Sequence, residues 1–124
     1  MKIEVSNGEI VDKLTIIEIK LANISDEQKQ INLKSEYDVL NQAVTLIISK
    51  EHPLYVDLLE INKKLWDIED RIRELEKSKK FDEEFIRMAR SVYFTNDQRS
   101  DIKRKINLLT NSSLFEEKSY EDYS

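Results

Sequence analysis

Apolar residues recur every three or four positions along most of the chain, as they do on the buried face of an α-helix. In the first such stretch Ile10, Leu14, Ile17 and Leu21 follow one another in this way. The pattern predicts about five helices, and only residues 2–5 alternate as a short strand would. The further stretches are Leu33, Tyr37, Leu40, Val44 and Ile47; Leu54, Leu58, Ile61, Leu65, Ile68, Ile72 and Leu75; Phe85, Met88 and Val92; and Ile102, Ile106 and Leu109.

A helix start signal stands near the beginning of each stretch. Three are a Ser or Thr followed three residues later by Glu or Gln, a capping box whose side chains satisfy free backbone N–H groups of the first turn. The others are Pro53, which suits the first turn of a helix, and Asp82, a common N-cap residue. The boxes pair Ser6 with Glu9, Ser25 with Gln28, and Thr95 with Gln98.

The connections between the predicted helices set the expected fold. Few residues around 51–52 separate the second helix from the third, so these two should form a long antiparallel hairpin. An equally short turn at residues 94–95 should fold the fourth and fifth helices into a smaller C-terminal pair. We therefore predict an all-α antiparallel helical bundle over residues 1–111, followed by an acidic, aromatic tail at residues 112–124 that docks on the bundle.

Composition narrows the class of protein. The 124 residues include one Gly, one Pro and no Cys, which disfavours sheet-rich folds and excludes disulfides and thiolate metal sites. No signal peptide is visible and no apolar run approaches the ~20 residues of a membrane span, so we expect a cytoplasmic protein with no membrane partner. The net charge of −5 argues against nucleic acid as a partner.

Positive charge is nevertheless concentrated in one segment. Residues 87–105 contain six Lys or Arg against two Asp. Two helices meeting at residues 94–95 would gather these cations around one cleft, beside the free N–H groups of a helix start. Such a cleft would suit a phosphate or a carboxylate. The anion-binding residues predicted on this basis are Arg90, Tyr93, Asn96, Arg99 and Lys103.

An alternative is that these cations form an exposed basic face that is paired with acidic neighbours. The tail supplies such neighbours in Glu116 and Glu117, placed among the aromatic residues Phe115, Tyr120 and Tyr123. The tail could dock on the basic segment through these groups, or it could be solvated and disordered.

Carboxylates on the third helix are candidates for a metal site. Asp67, Asp70 and Glu74 share one side of that helix, and this spacing can hold Mg²⁺ together with a substrate's phosphates. Arg71 and Arg73 lie in the same stretch and would neutralise the carboxylates more simply. We therefore predict no resident cofactor, with Asp67 and Asp70 as the candidates if Mg²⁺ binds.

Five segments carry a resemblance to known sequences: residues 3–20, 65–73, 89–97, 102–107 and 116–120. They resemble a family of small uncharacterised bacterial and phage proteins, known only as a domain of unknown function. The resemblance implies a helical fold and a common role, without an established activity. The matching polar residues lie on four of the predicted helices and suggest either a buried polar network or a pocket. They include Asp12, Lys13, Lys20, Asn62, Glu69, Asp70, Arg73, Arg90, Asn96, Asp97, Arg99, Lys103 and Asn107.

These observations support three hypotheses on function. The first is a non-enzymatic binding or accessory module that takes an anionic small molecule or a protein partner at the basic cleft. The second is a Mg²⁺-dependent enzyme that acts on a phosphorylated or nucleotide substrate through Asp67, Asp70 and the basic helices. The third is a structural homodimer or larger homo-oligomer, with Trp66 and the apolar stripe of the third helix at the interface.

Overall fold

In the computed structural model, which describes residues 1–119, all regular secondary structure is helical. The described chain forms four helices: α1 (Asn7–Asn23), α2 (Glu27–Thr45), α3 (Pro53–Lys77) and α4 (Glu83–Leu109). The predicted all-α class is confirmed. Residues 2–5 do not form a strand; Ile3 and Val5 are exposed, and residues 1–119 offer no other strand to pair with them. In that range, no helix combines the length and the apolar composition that a membrane crossing requires.

The predicted fourth and fifth helices are one continuous helix, α4, so the prediction of about five helices and of a C-terminal helical pair is wrong. Thr95, the predicted N-cap, lies inside α4 and is 2% exposed. The inward stripe of α4 continues through this point at Val92, Thr95, Arg99 and Ile102, still in steps of three and four. The stripe can include a polar residue, Arg99, because its side chain pairs with a buried carboxylate on α1. A stripe interrupted in this way looks like a helix end in the sequence.

Each helix begins at a side chain that accepts a hydrogen bond from its first turn. Ser6 Oγ accepts from the N–H of Glu9 at 3.2 Å, and His52 Nδ1 accepts from the N–H of Leu54 at 3.1 Å. The predicted starts of α1, α3 and α4 are confirmed, whereas α2 is capped one residue later than predicted. The four N-cap residues are Ser6, Asp26, His52 and Asp82.

The long helical hairpin is formed by α3 and α4, not by α2 and α3 as the short connection predicts. Near its turn, Arg71 on α3 reaches Glu84 on α4 at 2.7 Å. α1 lies against this hairpin and also against α2, and α2 makes no close backbone approach to α3. The reason is the width of the apolar surfaces. α3 is apolar over a broad arc that α1 and α4 bury together, whereas α2 buries only Leu33 and Val44 and finds sufficient cover on α1.

The apolar core lies where α1, α3, α4 and the end of α2 meet. Its largest side chain, Tyr55, keeps a partner for its hydroxyl by donating to Glu18 Oε1 at 2.7 Å. This arrangement places one edge of the core, between α1 and α4, directly beside a set of buried polar groups. The core cluster comprises Val11, Leu14, Val44, Ile48, Tyr55, Leu58 and Ile106.

Candidate functional site

A buried polar network joins α1, α3 and α4 beside the apolar core. Its centre is Asp12, which is 1% exposed. The guanidinium of Arg99 donates to both carboxylate oxygens, from Nε at 2.9 Å and from Nη2 at 2.5 Å. Asn62 Nδ2 donates to Asp12 Oδ1 at 2.9 Å and to Thr15 Oγ1 at 2.8 Å. Both oxygens of the buried carboxylate therefore have partners, which is the condition for burying its charge.

Arg99 connects this network to the surface. Its side chain is 28% exposed, although the carboxylate that it binds is almost fully buried. The hydrogen bonds from Arg99 to Asp12, with the charge of that carboxylate, raise the pKa of Arg99 above its ordinary value despite burial. Arg99 is therefore a fixed cation with one edge on Asp12, and its Nη1 lies 3.4 Å from Asn96 Oδ1.

Lys103, one turn further along α4, is a second cation with little exposure. Its Nζ donates to Glu9 Oε2 at 2.7 Å and to Glu116 Oε2 at 3.1 Å. Burial alone would lower the pKa of Lys103, but Glu9, Asp12 and Glu116 together raise it above its ordinary value. The Lys103 side chain is 11% exposed, whereas that of Glu116 is 54% exposed. Glu116 therefore reaches a nearly buried ammonium group from the solvent side.

The beginning of α1 is held on the end of α4. The N–H of Gly8 donates to Asn107 Oδ1 at 2.6 Å, and the N–H of Asn7 donates to Ser112 Oγ at 3.0 Å. A Cβ atom on Gly8 would lie 2.5 Å from the carbonyl oxygen of Lys103. The two helices can approach this closely because residue 8 has no side chain. This contact sets the distance between the polar groups of α1 and the cations of α4.

Residues 112–119, here called the C-terminal segment, run back along α4. The chain reverses at Asn111, which has a φ of 53°, a left-handed conformation that asparagine adopts more readily than most residues. Glu117 Oε1 then accepts from Arg104 Nη1 at 3.1 Å. The tail residues Tyr120 and Tyr123, which the sequence places in the docking tail, lie outside the described residues.

An open groove of about 860 Å³ lies between the C-terminal segment and α4, with Glu9 of α1 also at its edge. Lys118 Nζ lies 2.5 Å from Asp97 Oδ1 and ties the segment to α4 on this side of the groove. Four carboxylates and three cations line the groove, and ion pairs join them. Three of the six cations that the sequence concentrates on residues 87–105 are thus paired with carboxylates from α1 and from the C-terminal segment: Arg99, Lys103 and Arg104. The arrangement has features of both alternatives predicted from the sequence, because basic residues are paired with acidic neighbours and also line a groove.

Four of the five predicted anion-binding residues line this groove: Tyr93, Asn96, Arg99 and Lys103. Arg90 does not; its Nε lies 3.4 Å from the Tyr93 hydroxyl and its guanidinium lies over the Phe94 ring. The predicted construction of the cleft is wrong, because one helix and the C-terminal segment form it rather than two helices around a turn. No helix begins at residue 95, so no helix start offers N–H groups there.

The sequence predicted only some of the acidic and polar residues that surround the cations of the site. Asp12 and Asn62 entered through the family resemblance, as members of a network or a pocket, and the structure places both in the network with Arg99. Thr15 was missed, and Glu9 was identified as the capping-box partner of Ser6 but not as a partner of Lys103. A usable signal was present on α1, where Gly8, Asp12 and Thr15 follow one another at helical spacing and form a small, polar stripe beside the apolar one.

The carboxylates considered for Mg²⁺ lie elsewhere. Asp67 and Asp70 are both exposed on α3, and Arg71, which follows Asp70, pairs with Glu74 at 3.0 Å and with Glu84 at 2.7 Å. Across residues 1–119, no three or more His, Cys, Asp or Glu side chains are grouped so that they could hold a metal ion.

The apolar stripe of α3, considered for a homodimer, is used inside the molecule. Leu58, Leu65, Ile68 and Leu75 are buried in the single chain, where α3 packs on α1 and α4. Trp66 is half-buried at the edge of this packing, beside the end of α1.

The comparison with protein families matches residues 1–123 to a model described as a family of unknown function, DUF6165. The chain belongs to this family. The predicted resemblance to a domain of unknown function is confirmed over nearly the whole chain. Neither the comparison with curated proteins nor that with solved structures produced a match. For this member of DUF6165, the geometry of the groove is therefore the basis for any statement on function.

The raised pKa of Lys103 predicts a pH-dependent stability. Because its pKa is raised from 10.5 in the folded chain, the stability contributed by its ion pairs is complete below pH 10.5 and is lost as pH rises above it. We expect wild type to lose stability relative to Lys103→Met between pH 9 and pH 11.5, because the variant has no ammonium group to titrate. Urea unfolding at the two pH values measures the difference. A stability difference between the two chains that does not change with pH would contradict this assignment.

Proposed function

We propose that this protein is a non-enzymatic binding module that holds an oxyanion, either a phosphate or a carboxylate, beside Lys103 and Arg99 in the groove. One observation carries the proposal. Glu116 already places a carboxylate oxygen 3.1 Å from Lys103 Nζ, and it does so from a largely exposed side chain. An external oxyanion that approached from the same side would meet the same donor.

The donors around this point support the proposal. A guanidinium has five N–H groups, and the bonds of Arg99 to Asp12 and Asn96 use three of them. Further N–H groups of Arg99 are therefore available to a ligand in the groove. Asp12 holds the guanidinium in place, so the cation loses little freedom when a ligand binds, which favours affinity. A groove of about 860 Å³ is also within the size range of small-molecule sites.

The neighbouring carboxylates restrict the ligand. Glu9, Asp12 and Asp97 remain beside the cations whatever occupies the groove, so a long polyanion would meet repulsion along much of its length. A ligand with one or two anionic groups fits best. The same ion pairs are the reason why the proposal includes no catalytic step: Glu9 and Asp97 each accept from a cation in the described chain and are not poised as bases.

The test is a thermal-shift and NMR titration with two probes, inorganic phosphate and a terminally blocked diglutamate peptide, which carries two carboxylates. A probe at ten times its dissociation constant should stabilise the wild-type chain by about 1.4 kcal/mol. Lys103→Met should abolish this stabilisation, because it keeps the aliphatic stem and removes the ammonium donor. Response to phosphate alone identifies a phosphate-bearing small molecule as the ligand class, and response to the peptide alone identifies an acidic polypeptide.

Lys105→Met is the matched control. Lys105 is an exposed residue of α4, two positions from Lys103 and so on another face of the helix. The two variants change net charge equally, so a purely long-range charge effect would weaken binding equally in both. Equal weakening, or no binding of either probe to any variant, would contradict a specific site at Lys103.

A further inference from the structure

We infer that the C-terminal segment is a built-in competitor for the proposed oxyanion site, so that a ligand binds only when Glu116 and Glu117 leave α4. The inference rests on the proposed function and adds its regulation. It follows from where the two carboxylates lie, how weakly they are held, and where the segment is anchored.

The carboxylates of the segment stand where a ligand's oxyanion would bind. Glu116 Oε2 accepts from Lys103 Nζ at 3.1 Å, and Glu117 Oε1 accepts from Nη1 of the neighbouring cation, Arg104, at 3.1 Å. An oxyanion cannot approach the solvent side of Lys103 while the Glu116 carboxylate is there. The segment and the ligand are therefore mutually exclusive at this point, whichever oxyanion is involved.

The contacts of these two carboxylates are weak enough to be exchanged. The side chains of Glu116 and Glu117 are 54% and 74% exposed, so both carboxylates meet their partners from the solvent side, although the Lys103 side chain is only 11% exposed. An exposed ion pair, such as that of Glu117 with Arg104, changes an equilibrium constant by at most about fivefold. Phe115, which precedes them, is 40% exposed and contacts Arg104 through its ring face. The segment thus occupies the groove without a deeply buried anchor at residues 115–117.

The first residue of the segment, Ser112, is fixed to the helices, so the residues after Leu114 can leave α4 without unfolding the domain. Ser112 is buried, accepts from the N–H of Asn7 at 3.0 Å, and donates its N–H to the carbonyl oxygen of Asn107 at 2.9 Å. Its hydroxyl also donates to the carbonyl oxygen of Leu114 at 2.7 Å. The cap on α1 therefore stays in place, and the exchangeable part begins after Leu114.

Competition of this kind has a measurable consequence. When a site is open for only a fraction of the time, the apparent dissociation constant is the intrinsic value divided by that fraction. Weakening the two ion pairs raises the open fraction and should tighten binding of either probe. For Glu116→Gln/Glu117→Gln in the full chain, we expect a three- to tenfold lower dissociation constant for phosphate or the diglutamate peptide than in wild type.

The control is Asp38→Asn/Glu51→Gln, which removes the same net charge from two exposed residues on α2 and the loop that follows it. This variant should bind the probes within about twofold of wild type, because neither residue lines the groove and the backbone of α2 makes no close approach to α4. An equal gain in affinity in both double variants would be a general charge effect, and it would overturn the inference that the segment competes with the ligand.

NMR gives an independent readout on the wild-type chain. Addition of the probe that binds should move the backbone amide signals of Glu116 and Glu117 toward positions typical of unstructured chain, while the signal of Ser112 stays. Binding that leaves these signals unchanged, or binding equally tight in wild type and Glu116→Gln/Glu117→Gln, would overturn the competitor and leave the binding site intact. Absence of binding to Glu116→Gln/Glu117→Gln would overturn the proposed function itself and the competitor with it.

Discussion

Replacing Asp12 with alanine should lower the free energy of unfolding by about 3 kcal/mol or more, because it leaves a partly buried cation without its partner. Arg99 loses both of its bonds to the carboxylate, and Asn62 loses one of its two acceptors. Asn62 keeps Thr15 as a partner at 2.8 Å, so the main loss is the unpaired guanidinium. Urea unfolding at neutral pH, followed by circular dichroism, measures the change.

Two further variants show whether the lost charge pair is the cause. Asp67→Ala removes a carboxylate of the same type from an exposed position on α3 and should change stability by no more than about 0.5 kcal/mol. Asp12→Leu/Arg99→Met removes both charges and should be more stable than Asp12→Ala, because no unpaired charge remains in the interior. A loss below about 1 kcal/mol for Asp12→Ala would mean that Arg99 finds another partner, and that the network does not hold α1 on α4.

Gly8→Ala should destabilise the protein by about 2–4 kcal/mol, although a Gly-to-Ala change in a helix ordinarily adds about 0.5–1 kcal/mol. The new Cβ would lie 2.5 Å from the carbonyl oxygen of Lys103 and 2.9 Å from Asn107 Oδ1. A backbone carbonyl cannot rotate away as a side chain can, so α1 and α4 must separate. Their separation would stretch the 2.6 Å bond from Gly8 to Asn107 and move Asp12 away from Arg99.

Asn107→Ala separates the two parts of this effect. It removes the acceptor for the N–H of Gly8 without adding a clash, so it should cost only about 1–2 kcal/mol, as loss of a helix cap does. Chemical denaturation of both variants gives the comparison. Gly8→Ala as stable as wild type, or less destabilising than Asn107→Ala, would show that the two helices are not held at this distance in solution. The probes should also bind Gly8→Ala more weakly, because moving Asp12 away from Arg99 would release the guanidinium that Asp12 holds in the groove.

The helical class and most helix starts could be predicted from the sequence, because they depend on local interactions. Spacing of Leu54, Leu58 and Ile61 by four and three residues forms an apolar face in any environment, and Ser6 or Asp82 can cap a helix without help from the rest of the chain. Which helices lie side by side could not be predicted. The loop before α3 allows α2 to pair with it, but the broad apolar arc of α3 is buried by α1 and α4 instead.

The continuity of α4 through Thr95 shows the same limit of prediction from local sequence. Thr95 has the local chemistry of an N-cap, and nothing nearby in the sequence distinguishes a cap from a buried threonine. The interior position is decided by α1 and α3, which are more than 15 residues away along the chain and supply the polar groups that make Arg99 acceptable at a core-facing position.

For the candidate site, the sequence by itself determined that cations are concentrated on residues 87–105 and that Tyr93, Asn96, Arg99 and Lys103 are candidate residues, but it divided these residues between two helices that the structure shows to be one. Only the tertiary structure decided that their partners are Glu9, Asp12 and the C-terminal segment, and that these groups form a groove rather than an exposed basic face. The physical reason is the separation along the chain over which each interaction acts. Helical periodicity and capping act between residues a turn apart, whereas the pairing of a buried charge depends on whichever side chain the packing of distant helices brings within hydrogen-bond distance.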